Sequence, residues 1–115
     1  MNKYFKLAKK VALKDTTDYK HYWLGAIGIR NDGCLVHANN IRNMTNAVDC
    51  HAEARLAKKL DVGSIVYVVR IQKSTNNYMC AKPCGGCYLK LKNRGVKKIY
   101  YSINNNTYGV IVVKK

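Results

Sequence analysis

The sequence predicts a three-layer α/β domain on a five-stranded mixed sheet, and three observations predict it. Amphipathic helical stretches alternate with short β-branched runs in the order α-β-β-α-β-α-β-β. Two stretches read β-α-β, the pattern of parallel crossovers with helices packed on the sheet. The last connection, Asn104-Asn105-Asn106-Thr107, is too short for a crossover, which needs about a dozen residues. The final two strands are therefore expected to form an antiparallel hairpin.

Each element has a local reason. From Lys3 to Asp15, Tyr4, Leu7, Ala8, Val11 and Ala12 fall on one helical stripe with lysines opposite. Tyr22 to Arg30 reads as a strand, Asn31-Asp32-Gly33 as a hairpin turn, and Cys34 to Ile41 as the returning strand. Asp49 is an N-cap candidate for a second helix from Cys50 to Leu60, ended by Val62-Gly63. Ser64 to Gln72, with the core Ile65-Val66-Tyr67-Val68-Val69, reads as a buried central strand, and Lys73 to Tyr78 as a loop. Pro83, the only proline, marks the first turn of a third helix ending near Arg94-Gly95. Val96 to Ile103 and Tyr108 to Val113 complete the sheet.

The 115 residues suffice for one domain, taken as 1–115, with no linker or repeat dividing it. No apolar run approaches the roughly 18 residues of a membrane span, and lysines interrupt the N-terminus where a secretory signal would be apolar. The expectation is a cytoplasmic chain with no membrane partner. Five cysteines then argue for thiols or metal rather than disulfides. The formal charge of +15 attracts polyanions and anionic substrates, although abundant Lys and Asn also fit a general compositional bias.

Two clusters carry chemistry, His51-Ala52-Glu53 and Pro83-Cys84-Gly85-Gly86-Cys87, each at the start of a predicted helix. Cys84 and Cys87 are three apart, so they share one helical face, and His51 adds an imidazole from the neighbouring helix. Zinc accepts such a nitrogen and sulfur set, and three protein ligands leave a fourth position open for water, the mark of a catalytic site. Helix N-termini favour thiolates and an anionic oxygen there. Glu53, the only glutamate, sits two residues from His51 and can move a proton without ligating the metal.

The pair H-x-E and P-C-x-x-C is the signature of zinc deaminases. With it, the chain resembles the cytidine deaminase superfamily, and within it small phage and viral cytidine and deoxycytidylate deaminase-like proteins. The likeness extends over the Lys-rich first helix, Gly25-Ala26-Ile27, Tyr67-Val68-Val69-Arg70, Ala81-Lys82-Pro83-Cys84 and Lys97-Lys98-Ile99-Tyr100-Tyr101-Ser102. The resemblance implies the α-β-α cytidine-deaminase-like fold and a Zn2+ cofactor. It implies hydrolytic deamination of cytosine in a pyrimidine nucleoside or nucleotide, with Glu53 as the proton carrier. It also implies that Asn40, after the second strand, contacts the substrate; Ala38 replaces the family's usual glycine, so Asn39 is the alternative one residue away. Ala52, inside the first motif, is a further candidate substrate contact. The short final hairpin leaves no room for the helix that deoxycytidylate, tRNA adenosine and polynucleotide deaminases carry between their last two strands. Family members are often oligomers, so a homo-oligomer is an expectation.

Rival readings stay open at this level. The substrate is alternatively cytosine or adenine in single-stranded DNA or RNA. A closed structural zinc site, with Cys80 or Cys50 as fourth ligand, would make the chain a non-enzymatic nucleic-acid-binding module. Cys80, Cys84 and Cys87 also match an iron–sulfur spacing, which leaves His51 and Glu53 idle. Cys34, Cys50 and Cys80 are expected to be small buried residues. His21 and His37 read as ordinary polar positions. Tyr19, Tyr22, Trp23 and Tyr78 are candidates to rim the pocket, and Lys90, Lys92, Arg94, Lys97 and Lys98 to form a phosphate track.

Overall fold

The computed structural model describes residues 2–14, 22–39 and 52–114. The elements are α1 (Lys3–Leu13), β1 (Tyr22–Ile29), β2 (Leu35–Asn39), α2 (Ala52–Ala57), β3 (Ile65–Gln72), β4 (Tyr78–Met79), α3 (Gly85–Asn93), β5 (Lys98–Ser102) and β6 (Tyr108–Val112). The strands form one mixed sheet in the order β2-β1-β3-β5-β6, with β4 paired to β3. Helix α1 covers one face; α2 and α3 cover the other.

Helix α1 starts where Asn2 caps it, its side-chain oxygen accepting from the N–H groups of Tyr4 at 3.0 Å and Phe5 at 3.2 Å. Phe5, Ala8 and Ala12 are fully buried, while Tyr4, Leu7 and Val11 flank them half-buried. The apolar stripe is thus centred on Phe5, which the sequence reading left out of it. Burying a side chain of that size contributes about 1.5–3 kcal/mol. The small residues let α1 settle onto the sheet at Gly25, where a Cβ would stand 2.5 Å from the Ala12 nitrogen and 2.6 Å from the Ala8 oxygen.

The turn after β1 closes through the Arg30 N–H to the Cys34 oxygen, and β2 pairs antiparallel with β1 as expected. Strand β1 also pairs antiparallel with β3, which places it between β2 and β3. The first β-α-β stretch therefore joins strands that run the same way but are not neighbours. The second gives a true parallel pair, β3 with β5. Strands β5 and β6 form the expected antiparallel hairpin. The Asn104 side-chain oxygen accepts from the N–H groups of Asn106 and Thr107, both at 2.9 Å, so the asparagine builds the turn.

Tyr78 and Pro83 depart from the sequence reading, and α2 ends at Ala57 where Leu60 was expected. Tyr78 lies in the short strand β4, a sixth strand where five were expected. Tertiary bonds create it: the Asn105 side chain accepts the Tyr78 N–H at 2.8 Å, and the Gln72 N–H reaches the Asn77 oxygen at 2.9 Å. Pro83 precedes α3 instead of starting it, because Cys84 is the cap. As expected, α3 stops close to Arg94-Gly95: its last residue is Asn93, Arg94 caps it, and Gly95 follows with a φ of +87°, the left-handed conformation a glycine adopts after a helix. The expected Asp49 cap and the ends Ile41 and Cys50 lie outside the described residues.

Behind α2 and α3, Ala26, Val66, Val68 and Ile99 from the sheet pack on Ala52, Leu56, Leu60 and Leu91. This core fixes the two helix starts that carry the motifs. Among the described residues no helix is long and apolar enough to cross a membrane.

Candidate active site

Cys84 stands at the N-cap of α3 in extended backbone, with φ −67° and ψ 166°. Its sulfur accepts the Cys87 N–H at 3.4 Å, so the P-C-x-x-C spacing closes one turn on itself. Cys84 is exposed and Cys87 is fully buried one turn before the core residue Leu91. The sequence places Glu53 in the first turn of α2, and the structure buries it to 6% exposure. Its carboxylate lies within hydrogen-bonding reach of the Cys87 thiol. Desolvation pushes that thiol well above its ordinary pKa, and the neighbouring Glu53 carboxylate pushes it further. The Glu53 Oε1 atom is buried and has no hydrogen-bond partner among the described residues.

This environment fits a cation. A buried carboxylate oxygen without a partner is costly, and so is a thiolate beside it, unless positive charge or a donor completes the site. Soft thiolate sulfur and a nearby carboxylate suit zinc with a bound water. His51, the expected third ligand, lies outside the described residues. Among the described residues no three His, Cys, Asp or Glu side chains converge on one point. Cys80 in particular does not join Cys84 and Cys87, which removes the geometric basis of the iron–sulfur reading.

The segment leading to Cys84 is held by Ser102 at the end of β5. Its buried hydroxyl donates to the Met79 oxygen at 2.7 Å, and its backbone oxygen accepts the Ala81 N–H at 2.9 Å. The Arg70 N–H donates to the same hydroxyl at 3.4 Å. Sequence reasoning missed Ser102, because a lone serine ending a strand carries no local signal.

Other candidates divide. Asn40 lies outside the described residues, as do Tyr19, His21 and Cys50. Asn39 is engaged elsewhere: its amide donates to the Val11 oxygen at 3.3 Å, and Arg55 donates to its backbone oxygen at 2.5 Å and its side-chain oxygen at 3.3 Å. The Ala52 methyl is buried in the core. Tyr78 bonds the Phe5 oxygen and Trp23 packs on the α1 side, so both face away from Cys87. Among the described candidates Tyr22 shares the site face, under the Arg70 guanidinium at 5.1 Å. His37 is an exposed strand residue, as expected. The expected buried positions of Cys34 and Cys80 are corrected: both are exposed, Cys34 at the hairpin turn and Cys80 just beyond the short β4. Lys90, Lys92, Arg94, Lys97 and Lys98 gather toward the far end of α3, and Arg94 is tied to the Leu60 oxygen at 2.6 Å. That end is about 13 Å from the cysteine cap by helix rise.

The fold is shared with solved cytidine deaminases. One from Burkholderia pseudomallei superposes with a TM-score of 0.71 at 21% identity, covering 98% of this chain and 94% of that one. One from Mycobacterium tuberculosis gives 0.63 at 18% identity, covering 85% and 80%. One from Mycobacterium leprae gives 0.60 at 18% identity, covering 92% and 88%. No curated protein sequence matches significantly. A family model described as the cytidine and deoxycytidylate deaminase zinc-binding region matches residues 1–103, both motifs included. With that match over most of its length, the chain belongs to the cytidine and deoxycytidylate deaminase zinc-binding family.

Proposed function

We propose that the chain is a zinc-dependent hydrolytic deaminase converting cytosine to uracil in a cytidine or deoxycytidine nucleoside or nucleotide. The observation that carries the reading is the buried Glu53 carboxylate beside Cys87, with Oε1 unpartnered among the described residues. A structural metal site has no use for such a group; a proton carrier requires it.

His51, Cys84 and Cys87 would hold zinc, which when bound supplies Lewis-acid chemistry that brings the pKa of water toward neutrality. Glu53 takes a proton from the attacking water at Oε1. It delivers that proton to the ring nitrogen, then takes the proton of the newly added hydroxyl and passes it to the departing amine. Water oxygen adds to the amine-bearing carbon, the carbon–nitrogen bond breaks, and ammonia leaves as the carbonyl forms. Burial strengthens each transfer by excluding competing solvent. Asn40 is proposed to hold the substrate. Ala52 has only backbone atoms to offer it, since its methyl is committed to the core. Cytosine, and the likeness to phage and viral members, rest on the sequence resemblance.

The test is turnover by the zinc-loaded protein on cytidine, deoxycytidine, their mono- and triphosphates and a cytosine-bearing single-stranded oligonucleotide, read as ammonia release. Uracil product from a nucleoside or nucleotide supports the reading. Turnover confined to the oligonucleotide moves the substrate to nucleic acid, and none on any of them overturns the reading.

A further inference from the structure

Strand β3 points alternate side chains to opposite faces. Val66 and Val68 face α2 and α3, so Arg70 shares the face of Glu53 and Cys87 at the carboxyl end of the strand. Ligands of α/β sheets gather at such carboxyl ends. Arg70 pairs with Met79, and its N–H shares the Ser102 hydroxyl that holds the segment leading to Cys84. Its guanidinium lies over the Tyr22 ring, 5.1 Å from the centroid. Its Nε is buried with no hydrogen-bond partner among the described residues.

The other described arginines are all engaged. Arg30 pairs with Asp32 and Asp61, Arg55 donates to Asn39, and Arg94 donates to the Leu60 oxygen. Among the described residues no carboxylate pairs with Arg70. A permanent cation with a buried, unsatisfied donor calls for an anion with several acceptor oxygens. A base carbonyl would satisfy one donor and leave the charge; a phosphate answers both the fork and the charge. We propose that Arg70, backed by the Tyr22 ring, binds the phosphate of the substrate, so that the enzyme prefers a cytosine nucleoside monophosphate to the free nucleoside. The proposal rests on the deaminase reading above and names its substrate class.

The experiment compares kcat/KM for deoxycytidine and deoxycytidine 5′-monophosphate in the zinc-loaded wild type, Arg70→Ala and Arg70→Lys. Circular dichroism and zinc content check that each variant is folded and loaded. Calorimetric binding of both compounds is measured in a Glu53→Gln background, with and without Arg70→Ala. The wild type is expected to prefer the monophosphate. Arg70→Ala should cut that preference about tenfold to a hundredfold, chiefly through KM, and Arg70→Lys should restore part of it. Binding of the monophosphate should weaken by a similar factor, and that of the nucleoside much less. An unchanged preference, or equal losses for both compounds, overturns the proposal. Should neither compound be turned over, the deaminase reading fails on its own, and the calorimetry still decides what Arg70 binds.

Discussion

Glu53 on α2 and Cys87 on α3 meet in one buried space, where the carboxylate raises the thiol's proton affinity beyond what burial alone does. A carboxylate and a thiol are thus held together away from solvent. The arrangement disfavours itself unless positive charge is added, and zinc is the charge proposed for it, in a family whose matched region is described as zinc-binding. The start of α2 and the start of α3 are positioned by Ala52, Leu56 and Leu91 in one core, so the meeting is a product of the fold.

Replacing Glu53 by Gln keeps the shape and removes the proposed proton carrier. Turnover is expected to fall by about 10²–10⁴-fold with zinc content and melting temperature close to wild type. Steady-state rates on a verified substrate, alongside elemental analysis, check this. A variant with near-normal turnover would assign the proton transfer to another group.

Cys84 has two duties that substitution separates. Serine keeps an N-cap acceptor for the Cys87 N–H, whereas alanine removes the cap as well. Both variants should lose most bound metal. Only Cys84→Ala should carry the extra cap penalty, about 1 kcal/mol, in the metal-free form. Elemental analysis and denaturant unfolding of the chelator-treated proteins read the two effects. Equal stability of the two metal-free variants would show that the sulfur does not cap the helix.

Acid sensitivity has a source at the opposite end of the sheet. The Asn31 N–H donates to Asp61 at 2.8 Å, and this bond is the main cause holding the Asp61 carboxyl below its ordinary value of 3.8. The Cys34 N–H acts the same way on Asp32 at 3.0 Å. A carboxylate with a lowered folded pKa contributes stability that is present above its unfolded value and lost as pH falls through the folded one. Wild type should therefore exceed Asp61→Asn in urea midpoint at pH 6, and the gap should close below about pH 4. A gap that is constant with pH would remove the carboxylate's charge from the explanation.

Much of this was legible in the sequence because its signals are short-range. The Cys84-x-x-Cys87 spacing falls within a single turn, and the Asn104–Thr107 connection is too short for any fold but a hairpin. The centre of the α1 stripe was ambiguous, because Tyr4 and Phe5 are adjacent and both pack on Tyr67, and only the folded chain shows Phe5 as the one fully buried. Strand β4 was invisible, since its pairing depends on Asn105 and Ser102 from a distant hairpin. Arg70 stood in the open: the two-residue period through Val66 and Val68 already places it on the helix-covered face, but its missing partner appears only when the other arginines are seen engaged.

Ser102 gives the last prediction. Its hydroxyl is fully buried, donates to the Met79 oxygen and accepts the Arg70 N–H, while its backbone oxygen holds Ala81. Alanine keeps the backbone bond and the volume nearly unchanged but leaves a carbonyl and an N–H without their side-chain partner. The expected cost is about 1–3 kcal/mol of stability, from unsatisfied groups and not from a cavity. The loss should be local in character, because the freed groups lie on β3 and β4, directly before the Cys84 cap. Hydrogen exchange should quicken at Arg70 and Ala81 more than in α1, which rests on the opposite face. Threonine retains the hydroxyl and should recover the protection at Arg70 if its methyl is accommodated, whereas valine should behave like alanine or worse. Uniform acceleration across the chain in Ser102→Ala would mean that the hydroxyl supports the whole sheet instead of the segment that carries the cysteine.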